Sequence, residues 1–282
     1  MKEKLEKDRQ EIFKEGLSYA AELAYFIGVL ISLALCSGMF IENPVQERLK
    51  KMRYYLHVLG LNGYIYWLGN LIFDFGIFLI QAFLLIVLVF PLRLEAYSYY
   101  FTLYTLLILS FGLSHVTFSY LLSFFFTSPD TAIKAFSLIY LLGGLFVPLL
   151  LKTLLFASFG CPAYHLGDTL AQLIPLTPLC SGFLSLISRK HDKFFQFQKR
   201  REQEDAELMA ELADDSGFHR ARNEYWECKG WYAEVESSIA VMVASAVLYA
   251  GCVIGIEWYR ERKVRRAEQE RYNIKDRKEC VR

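Results

Sequence analysis

Three polar side chains, Asn70, Asp74 and Gln81, interrupt a stretch that is otherwise strongly apolar. Their spacing of four and then seven residues places them on one face of a helix. An ionisable group inside a membrane is costly and usually functional, so a transport site is one interpretation. Because Asp74 lies only about two helical turns from the start of the stretch, where water is near, we favour a structural hydrogen bond that faces into a helix bundle.

Glu22 and His115 also lie in apolar stretches. Glu22 is close to the end of its stretch, and we expect its carboxylate to snorkel toward water. His115 stands alone, which favours a hydrogen bond to a neighbour over metal binding, so we assign it no role. None of the six cysteines belongs to a pair or cluster with zinc spacing. The sequence therefore predicts no metal site.

The sequence contains none of the common catalytic motifs. It has no GxxxxGK[ST] phosphate-binding loop, no GxSxG nucleophile elbow and no HExxH zinc motif. No catalytic residue and no cofactor-binding residue is predicted in this chain. Any chemistry would then belong to a partner or to another part of a longer polypeptide.

The composition indicates which elements must position these residues. Hydrophobic residues make up 54% of the 282, and mean hydropathy is +0.25 although 22% are charged. The charges are clustered, so the stretches between them are strongly apolar. This excludes a soluble enzyme built round one core and predicts an all-α integral membrane protein. The net charge of +1 gives no argument for a nucleic-acid partner.

A helix needs about 20 apolar residues to cross the hydrocarbon layer. Five stretches meet this requirement, at 17–41, 67–90, 98–126, 132–156 and 237–258. A sixth, at 161–187, is interrupted by Pro162, Pro175 and Pro178. Broken helices at membrane depth persist when they are packed in protein or line water. We interpret this stretch as a re-entrant helical hairpin, with a kinked sixth span as the alternative.

The segment 43–60 has the pattern of an amphipathic surface helix. Asn43 is predicted as its N-cap, Pro44 as its first residue and Gly60 as its C-cap. One helical face is apolar: Val45, Leu49, Met52, Leu56 and Leu59. The other faces are mainly charged: Glu47, Arg48, Lys50, Lys51 and Arg53. The segment is either an interfacial anchor or a contact helix for a cytoplasmic partner.

Charge suggests the sidedness of the chain. A charged N-terminal segment (1–16) precedes the transmembrane domain (17–258), which contains a charged insert (188–236) and is followed by a basic tail (259–282). The tail is expected to be cytoplasmic. With five spans the segment 43–60 is also cytoplasmic, and with six it is not. In the five-span arrangement Cys228 shares the extracytoplasmic side with Cys161 and Cys180, so one disulfide, to either of them, is an option.

Four sequence stretches, in this order, resemble one family. They are "ENPVQERLKKMRYYLHVLGLNGYIYWLGNLIFD" at 42–74, "LSFFFTSPDTA" at 122–132, "CPAYHLGDTL" at 161–170 and "VRRAEQERYNI" at 264–274. Together they resemble the membrane half of ABC transporters of the A subfamily, the lipid-exporter branch with type-2 architecture. The third is a weaker match, because Cys161 replaces a Phe and Thr169 replaces a Gly of the family pattern.

The resemblance implies five spans and an ATP-driven export of lipid or another hydrophobic substrate. It implies that 43–60 is a coupling helix, with Glu47 and Arg48 anchoring it to a nucleotide-binding ATPase domain, and that 161–187 is an extracellular re-entrant hairpin. ATP and Mg²⁺ are expected on that ATPase domain, and a second transmembrane half is expected as a partner.

The family's first span, its large extracellular domain and its ATPase domain are not in the 282 residues. The chain therefore resembles a fragment, a truncated gene product or an excised membrane domain of such a transporter. The alternative is a membrane scaffold, or a scramblase-like lipid path that needs no ATP.

Overall fold

The computed structural model describes residues 2–52, 55–56, 59–142, 170–191 and 235–279. Within these ranges the chain forms helices and turns and no strand, which confirms the predicted all-α class. The helices are α1 (Lys2–Cys36), α2 (Gly38–Leu49), α3 (Gly63–Leu88), α4 (Glu95–Tyr99), α5 (Phe101–Ser123), α6 (Pro129–Leu141), α7 (Leu176–Lys190) and α8 (Val235–Glu279).

Four segments of the described chain are long and apolar enough to cross a membrane. They are Phe13–Leu49, Gly63–Leu88, Phe101–Ser123 and Val235–Lys263, and they match four of the five predicted spans. The remaining predicted span, 132–156, overlaps α6, and its later part lies outside the described residues. α6 begins before 132 because Pro129 opens the helix and the Ser128 side chain accepts a hydrogen bond from the Thr131 backbone N–H.

A one-residue turn at Ser37 separates α1 from α2 within the first span. The Ser37 hydroxyl donates a 2.6 Å hydrogen bond to the carbonyl of Ala34. A Cβ on Gly38 would lie 2.7 Å from the Ile133 side chain and 3.2 Å from its carbonyl oxygen. Glycine at this position therefore lets α6 approach the start of α2 closely.

The predicted start of the amphipathic helix at Asn43 is wrong. The helix begins at Gly38, so Asn43 is not an N-cap and Pro44 lies inside α2. Proline lacks the N–H that would bond to the carbonyl four residues earlier, here that of Phe40. The Ser119 hydroxyl of α5 lies 2.7 Å from the carbonyl of Val116 and 3.4 Å from that of Phe40, so the Phe40 carbonyl receives at most the weaker branch of a bifurcated hydrogen bond. Pro44 is buried inside α2, and the helix of the first span continues through it.

The segment 43–60 is also not one continuous helix. α2 ends at Leu49, and Lys51 has a φ of 57°, in the left-handed region. The predicted apolar face divides at this break: Val45 is buried, whereas Leu49, Met52 and Leu59 are exposed. The spacing of apolar residues predicted a single helical face. The turn at 50–51 interrupts the helix, so the residues on its two sides do not share one face.

α5 is the central helix of the bundle. In the most apolar part of each spanning helix, 67% of the residues of α5 are buried in the bundle, compared with 17% for α3 and 22% for α8. Two glycines allow neighbours to pack closely on this helix. A Cβ on Gly112 of α5 would lie 2.0 Å from the Phe78 ring of α3, and a Cβ on Gly182 of α7 would lie 2.5 Å from the Leu107 side chain of α5.

α7 shows how part of the proline-containing stretch 161–187 folds. Pro175 is its N-cap residue, and Pro178 falls in its first turn, where backbone N–H groups have no partner within the helix. The helix then continues to Lys190. Residues 161–169 lie outside the described residues, so the re-entrant hairpin and the kinked sixth span both remain predictions.

Candidate functional site

The C-terminal half of α2 carries two charged side chains that contact other parts of the bundle. Tyr66, in the first turn of α3, donates a hydrogen bond to the Glu47 carboxylate. The Arg48 guanidinium donates to the backbone carbonyl of Phe126, between α5 and α6. Hydrogen bonds to ionised groups are stronger than those between neutral groups. Glu47 and Arg48 therefore connect α2 to α3 and to the α5–α6 turn.

The residues that follow form an exposed surface. Lys50 and Lys51 are exposed where α2 ends. Beside them, four large apolar side chains are also exposed: Leu49, Met52, Tyr55 and Leu59. We call these six residues the α2 surface. Exposed apolar groups among cations are typical of a surface that contacts a partner or a membrane interface. Arg53, predicted to belong here, lies outside the described residues.

The polar face of α3 contains one ionisable side chain, Asp74, which is buried and hydrogen-bonded. Asp74 is 4% exposed, and its carboxylate accepts a 2.6 Å hydrogen bond from the Tyr120 hydroxyl of α5. The Trp67 ring packs on the Tyr120 ring, with centroids 5.1 Å apart. Asn70 and Gln81 are half-buried on the same helix. The hydrogen bond joins α3 to α5, and the preference for a structural role over a transport site stays a prediction.

The expectation that Glu22 snorkels is wrong. Its side chain is completely buried. One carboxylate oxygen accepts a 2.7 Å hydrogen bond from the Ala96 backbone N–H, and the other lies 2.8 Å from Nε2 of His191. A buried carboxylate is tolerated when it is paired and hydrogen-bonded. Partners from α4 and from the end of α7 replace the water that the sequence argument assumed.

The sequence did contain a sign that Glu22 is buried. Residues three, four and seven positions later share its helical face, and all are buried: Tyr25, Phe26 and Val29. Tyr97 of α4 packs at the same place, and its hydroxyl donates to the Glu22 backbone carbonyl at 3.3 Å. Burial, together with the nearby Glu22 carboxylate, raises the pKa of Tyr97. Tyr97 therefore remains a neutral hydrogen-bond donor at ordinary pH.

His115 has the kind of neighbour expected from the sequence. It is buried in α5, and its Nδ1 lies 2.7 Å from the Tyr140 hydroxyl of α6. The ring stacks on Phe111, with centroids 5.3 Å apart. The expected hydrogen bond to a neighbouring residue is confirmed, and it joins α5 to α6.

The described residues contain no group of three or more His, Cys, Asp or Glu side chains that could hold a metal ion. Cys161 and Cys228 lie outside the described residues, so a disulfide of Cys228 with Cys161 or Cys180 stays a prediction. The groups that are described can position helices and contact a partner. The candidate site is therefore the α2 surface with its two internal contacts at Glu47 and Arg48.

Comparison with known proteins gives consistent matches. Residues 3–254 match the family described as ABC-2 family transporter protein. "ABC transporter A family member 4" of Dictyostelium discoideum is 30% identical over 254 residues, which cover 88% of this chain and 14% of that protein. "ABC transporter A family member 2" of the same organism is 32% identical over 135 residues, which cover 48% of this chain and 8% of that protein.

A human protein matches over a shorter region. "Phospholipid-transporting ATPase ABCA7" is 30% identical over 140 residues, which cover 47% of this chain and 6% of that protein. The matched regions of the three relatives thus amount to 6–14% of their own lengths.

Proposed function

This chain belongs to the ABC-2 transporter family, and we propose that it moves a lipid or another hydrophobic substrate across a membrane, driven by an ATPase domain outside these 282 residues. Its membership makes it an integral, multi-pass transmembrane part of an ABC transporter, with relatives in the A family. The name of the human relative, a phospholipid-transporting ATPase, supports lipid as the substrate class.

The observation that carries the proposal is the α2 surface and its connection to the bundle. Exposed lysines and apolar side chains give an ATPase domain both charge and apolar area to contact. A displacement of α2 would reach α3 through Glu47 and Tyr66, and the α5–α6 turn through Arg48. In this arrangement the ATPase domain binds ATP and Mg²⁺, and the present chain converts its motion into movement of helices.

We assign different roles to the charged residues of this segment. The family resemblance gave Glu47 and Arg48 the contact with the ATPase domain. Because both side chains are hydrogen-bonded within the bundle, we propose that they transmit motion. Lys50 and Lys51, which are exposed, are the better candidates for the contact itself.

The exposed faces of α3 and α8 are the proposed contact surfaces for lipid and for a second transmembrane half. Large apolar side chains are exposed on both helices, among them Phe73, Phe83, Val247 and Ile254. The basic residues that follow the last span favour a cytoplasmic C-terminus. Gly63, at the start of α3, lies close to Glu261 of α8, which supports a location of the α2 surface on the same side.

Charge reversal on the α2 surface tests the proposal. The transporter that contains this chain would carry Lys50→Glu and Lys51→Glu, and ATP-driven movement of a fluorescent phospholipid would be followed in proteoliposomes. We expect transport to fall roughly tenfold, which corresponds to about 1.4 kcal/mol of lost binding to the ATPase domain. Both side chains are exposed, so the melting temperature should stay unchanged.

Lys14→Glu is the matched control, because Lys14 is an exposed lysine at the other end of the first span. It should transport lipid at the wild-type rate. If the double variant also transports normally, the α2 surface is an interfacial anchor. Lipid movement that proceeds equally well without ATP in every variant would instead establish a scramblase-like path.

A further inference from the structure

Three consecutive residues at the end of α7 each pair with a carboxylate on a different helix. The pairs are Arg189 with Glu236 of α8, Lys190 with Glu95 of α4, and His191 with Glu22 of α1. The Arg189–Glu236 pair has two hydrogen bonds, of 3.2 and 2.8 Å. The Lys190–Glu95 distance is 3.5 Å and the His191–Glu22 distance is 2.8 Å. We call these three pairs the α7 clasp.

The three pairs differ in burial. The side chains of Glu22 and His191 are 0% and 4% exposed. Those of Arg189 and Glu236 are 32% and 52% exposed, and those of Lys190 and Glu95 are 31% and 67% exposed. Exposed ion pairs contribute little to stability, whereas a buried carboxylate that loses a hydrogen-bond partner is costly. The Glu22–His191 pair therefore contributes most to the clasp.

The rest of α7 is seated by apolar packing. The Phe183 ring packs on those of Phe26, Tyr97 and Tyr104, with centroids 5.5 to 5.8 Å apart. Gly182 lets α7 approach the Leu107 side chain of α5 closely. Apolar packing therefore holds the body of α7 in the bundle, and the α7 clasp adds polar contacts at its C-terminal end.

The clasp lies at the opposite end of the bundle from the α2 surface. α3 begins beside Glu47 and ends near Leu85, whose carbonyl accepts a hydrogen bond from Tyr25, one turn from Glu22. The clasp joins α1, α4, α7 and α8 at this end. Movement of α7 away from α4 or α8 requires separation of an ion pair, and movement away from α1 requires loss of the contact between His191 and Glu22. These polar groups can be hydrated again when water enters.

We propose that the α7 clasp closes the transport path at the end of the bundle opposite the α2 surface, with Glu22 as the residue that positions α7. This inference rests on the proposed transport function. The clasp opens when substrate leaves and closes again afterwards. A charged contact suits this task, because its partners are stable both when paired and when hydrated.

A reversible cross-link tests whether the clasp must open. Arg189→Cys and Glu236→Cys would be combined in the complete transporter and bridged by a bifunctional thiol reagent about as long as the lost ion pair. Both positions are exposed, so the reagent reaches them. Bridging should lower ATP-driven phospholipid transport at least roughly tenfold, because a required motion is blocked, and reduction should restore it. Each single-cysteine variant, treated in the same way, controls for reaction at the native cysteines.

Transport by the bridged protein within about twofold of the unbridged protein would overturn the inference, because the clasp would then be a fixed contact. If the wild-type transporter shows no ATP-driven transport, the proposed function fails, and a second measurement decides whether the clasp holds α7.

Hydrogen exchange measures the clasp without transport. Glu22→Ala removes both acceptors, whereas Glu22→Gln keeps one oxygen, so the two variants should show a graded effect in the full chain in phosphatidylcholine nanodiscs. The Ala96 and His191 amides should exchange roughly tenfold faster in Glu22→Ala, because local opening becomes easier. Glu236→Gln, in an exposed pair, should leave both amides near the wild-type rate. Unchanged exchange in Glu22→Ala would show that Glu22 does not position α7.

Discussion

At the scale of single residues, three buried ionisable groups of the described chain, Glu22, Asp74 and His115, each have a hydroxyl, amide or imidazole partner. Asp74 accepts from Tyr120, Glu22 accepts from Ala96 and lies beside His191, and His115 contacts Tyr140. Such a group costs little when these bonds are made and a great deal when one is removed. Its effect on stability therefore depends on the partner as much as on the group itself.

The partner of Asp74 gives a direct test. Tyr120→Phe removes the hydroxyl and keeps the ring that packs on Trp67. The buried carboxylate then lacks this donor, and the free energy of unfolding should fall by about 1–3 kcal/mol. The melting temperature of the chain in detergent, followed by intrinsic fluorescence, should decrease by several degrees.

Tyr99→Phe is the control for this change, because Tyr99 is 71% exposed and its ring contact with Lys190 does not need the hydroxyl. Its melting temperature should equal that of the wild type. If Tyr120→Phe has the same melting temperature as Tyr99→Phe, the hydrogen bond to Asp74 does not contribute to stability.

At the scale of helices, glycines set how closely the elements approach. Gly38 allows α6 to contact the start of α2, and Gly182 allows α7 to contact α5. Gly112 is the tightest case, because an added Cβ would overlap the Phe78 ring of α3. A helix–helix contact of this kind is fixed by the absence of a side chain, and small residues are typical of helix interfaces in membranes.

Gly112→Ala tests the contact between α5 and α3. The new methyl group would lie 2.0 to 2.8 Å from three atoms of the Phe78 ring, so the helices must separate or the ring must rotate. Overpacking of this kind costs about 1–3 kcal/mol. Thermal unfolding in detergent should show the loss.

Gly76→Ala is the matched control on α3, because no atom lies within 4 Å of its added Cβ. Alanine is favoured over glycine in a helix by about 1 kcal/mol, so this variant should be at least as stable as the wild type. Equal effects of the two substitutions would mean that α3 and α5 are not in close contact at Gly112.

At the scale of the whole molecule, two sets of contacts occupy opposite ends of the bundle. One end carries the α2 surface, together with Tyr66 and Phe126. The other carries the α7 clasp. α3 joins the two ends with 26 residues, which at 1.5 Å per residue is about 39 Å and exceeds the hydrocarbon thickness of about 30 Å. We therefore expect the proposed ATPase contact and the proposed closure to lie on opposite sides of the membrane.

Cysteine labelling tests this arrangement. Lys51→Cys and Glu236→Cys are exposed positions at the two ends. In sealed vesicles, a membrane-impermeant maleimide should label Glu236→Cys from the extracytoplasmic side and Lys51→Cys only after the vesicles are opened. The labelling of the wild-type chain is subtracted as background. Labelling of both variants from the same side would exclude the arrangement.

The sequence by itself determined the fold class, four of the described spans and the family resemblance. Each of these depends on local properties: the length of an apolar stretch, or a short motif read in order. That the segment 43–60 is a coupling helix stays a prediction, whereas its start at Asn43, its continuity and its single helical face are wrong. The helix that contains the first part of this segment begins at Gly38, and the close packing of Gly38 against Ile133 is a long-range contact that no local pattern contains.

Only the tertiary structure decided where the charged side chains point. Glu22 meets Ala96 and His191, which are 74 and 169 residues away, and Arg48 meets a carbonyl 78 residues away. A hydropathy argument predicts that a carboxylate near a helix end is hydrated, because the sequence pattern contains no information about a protein partner. Whether protein replaces that water depends on which distant backbone and side-chain groups the fold brings within about 3 Å, and this depends on the packing of the whole bundle.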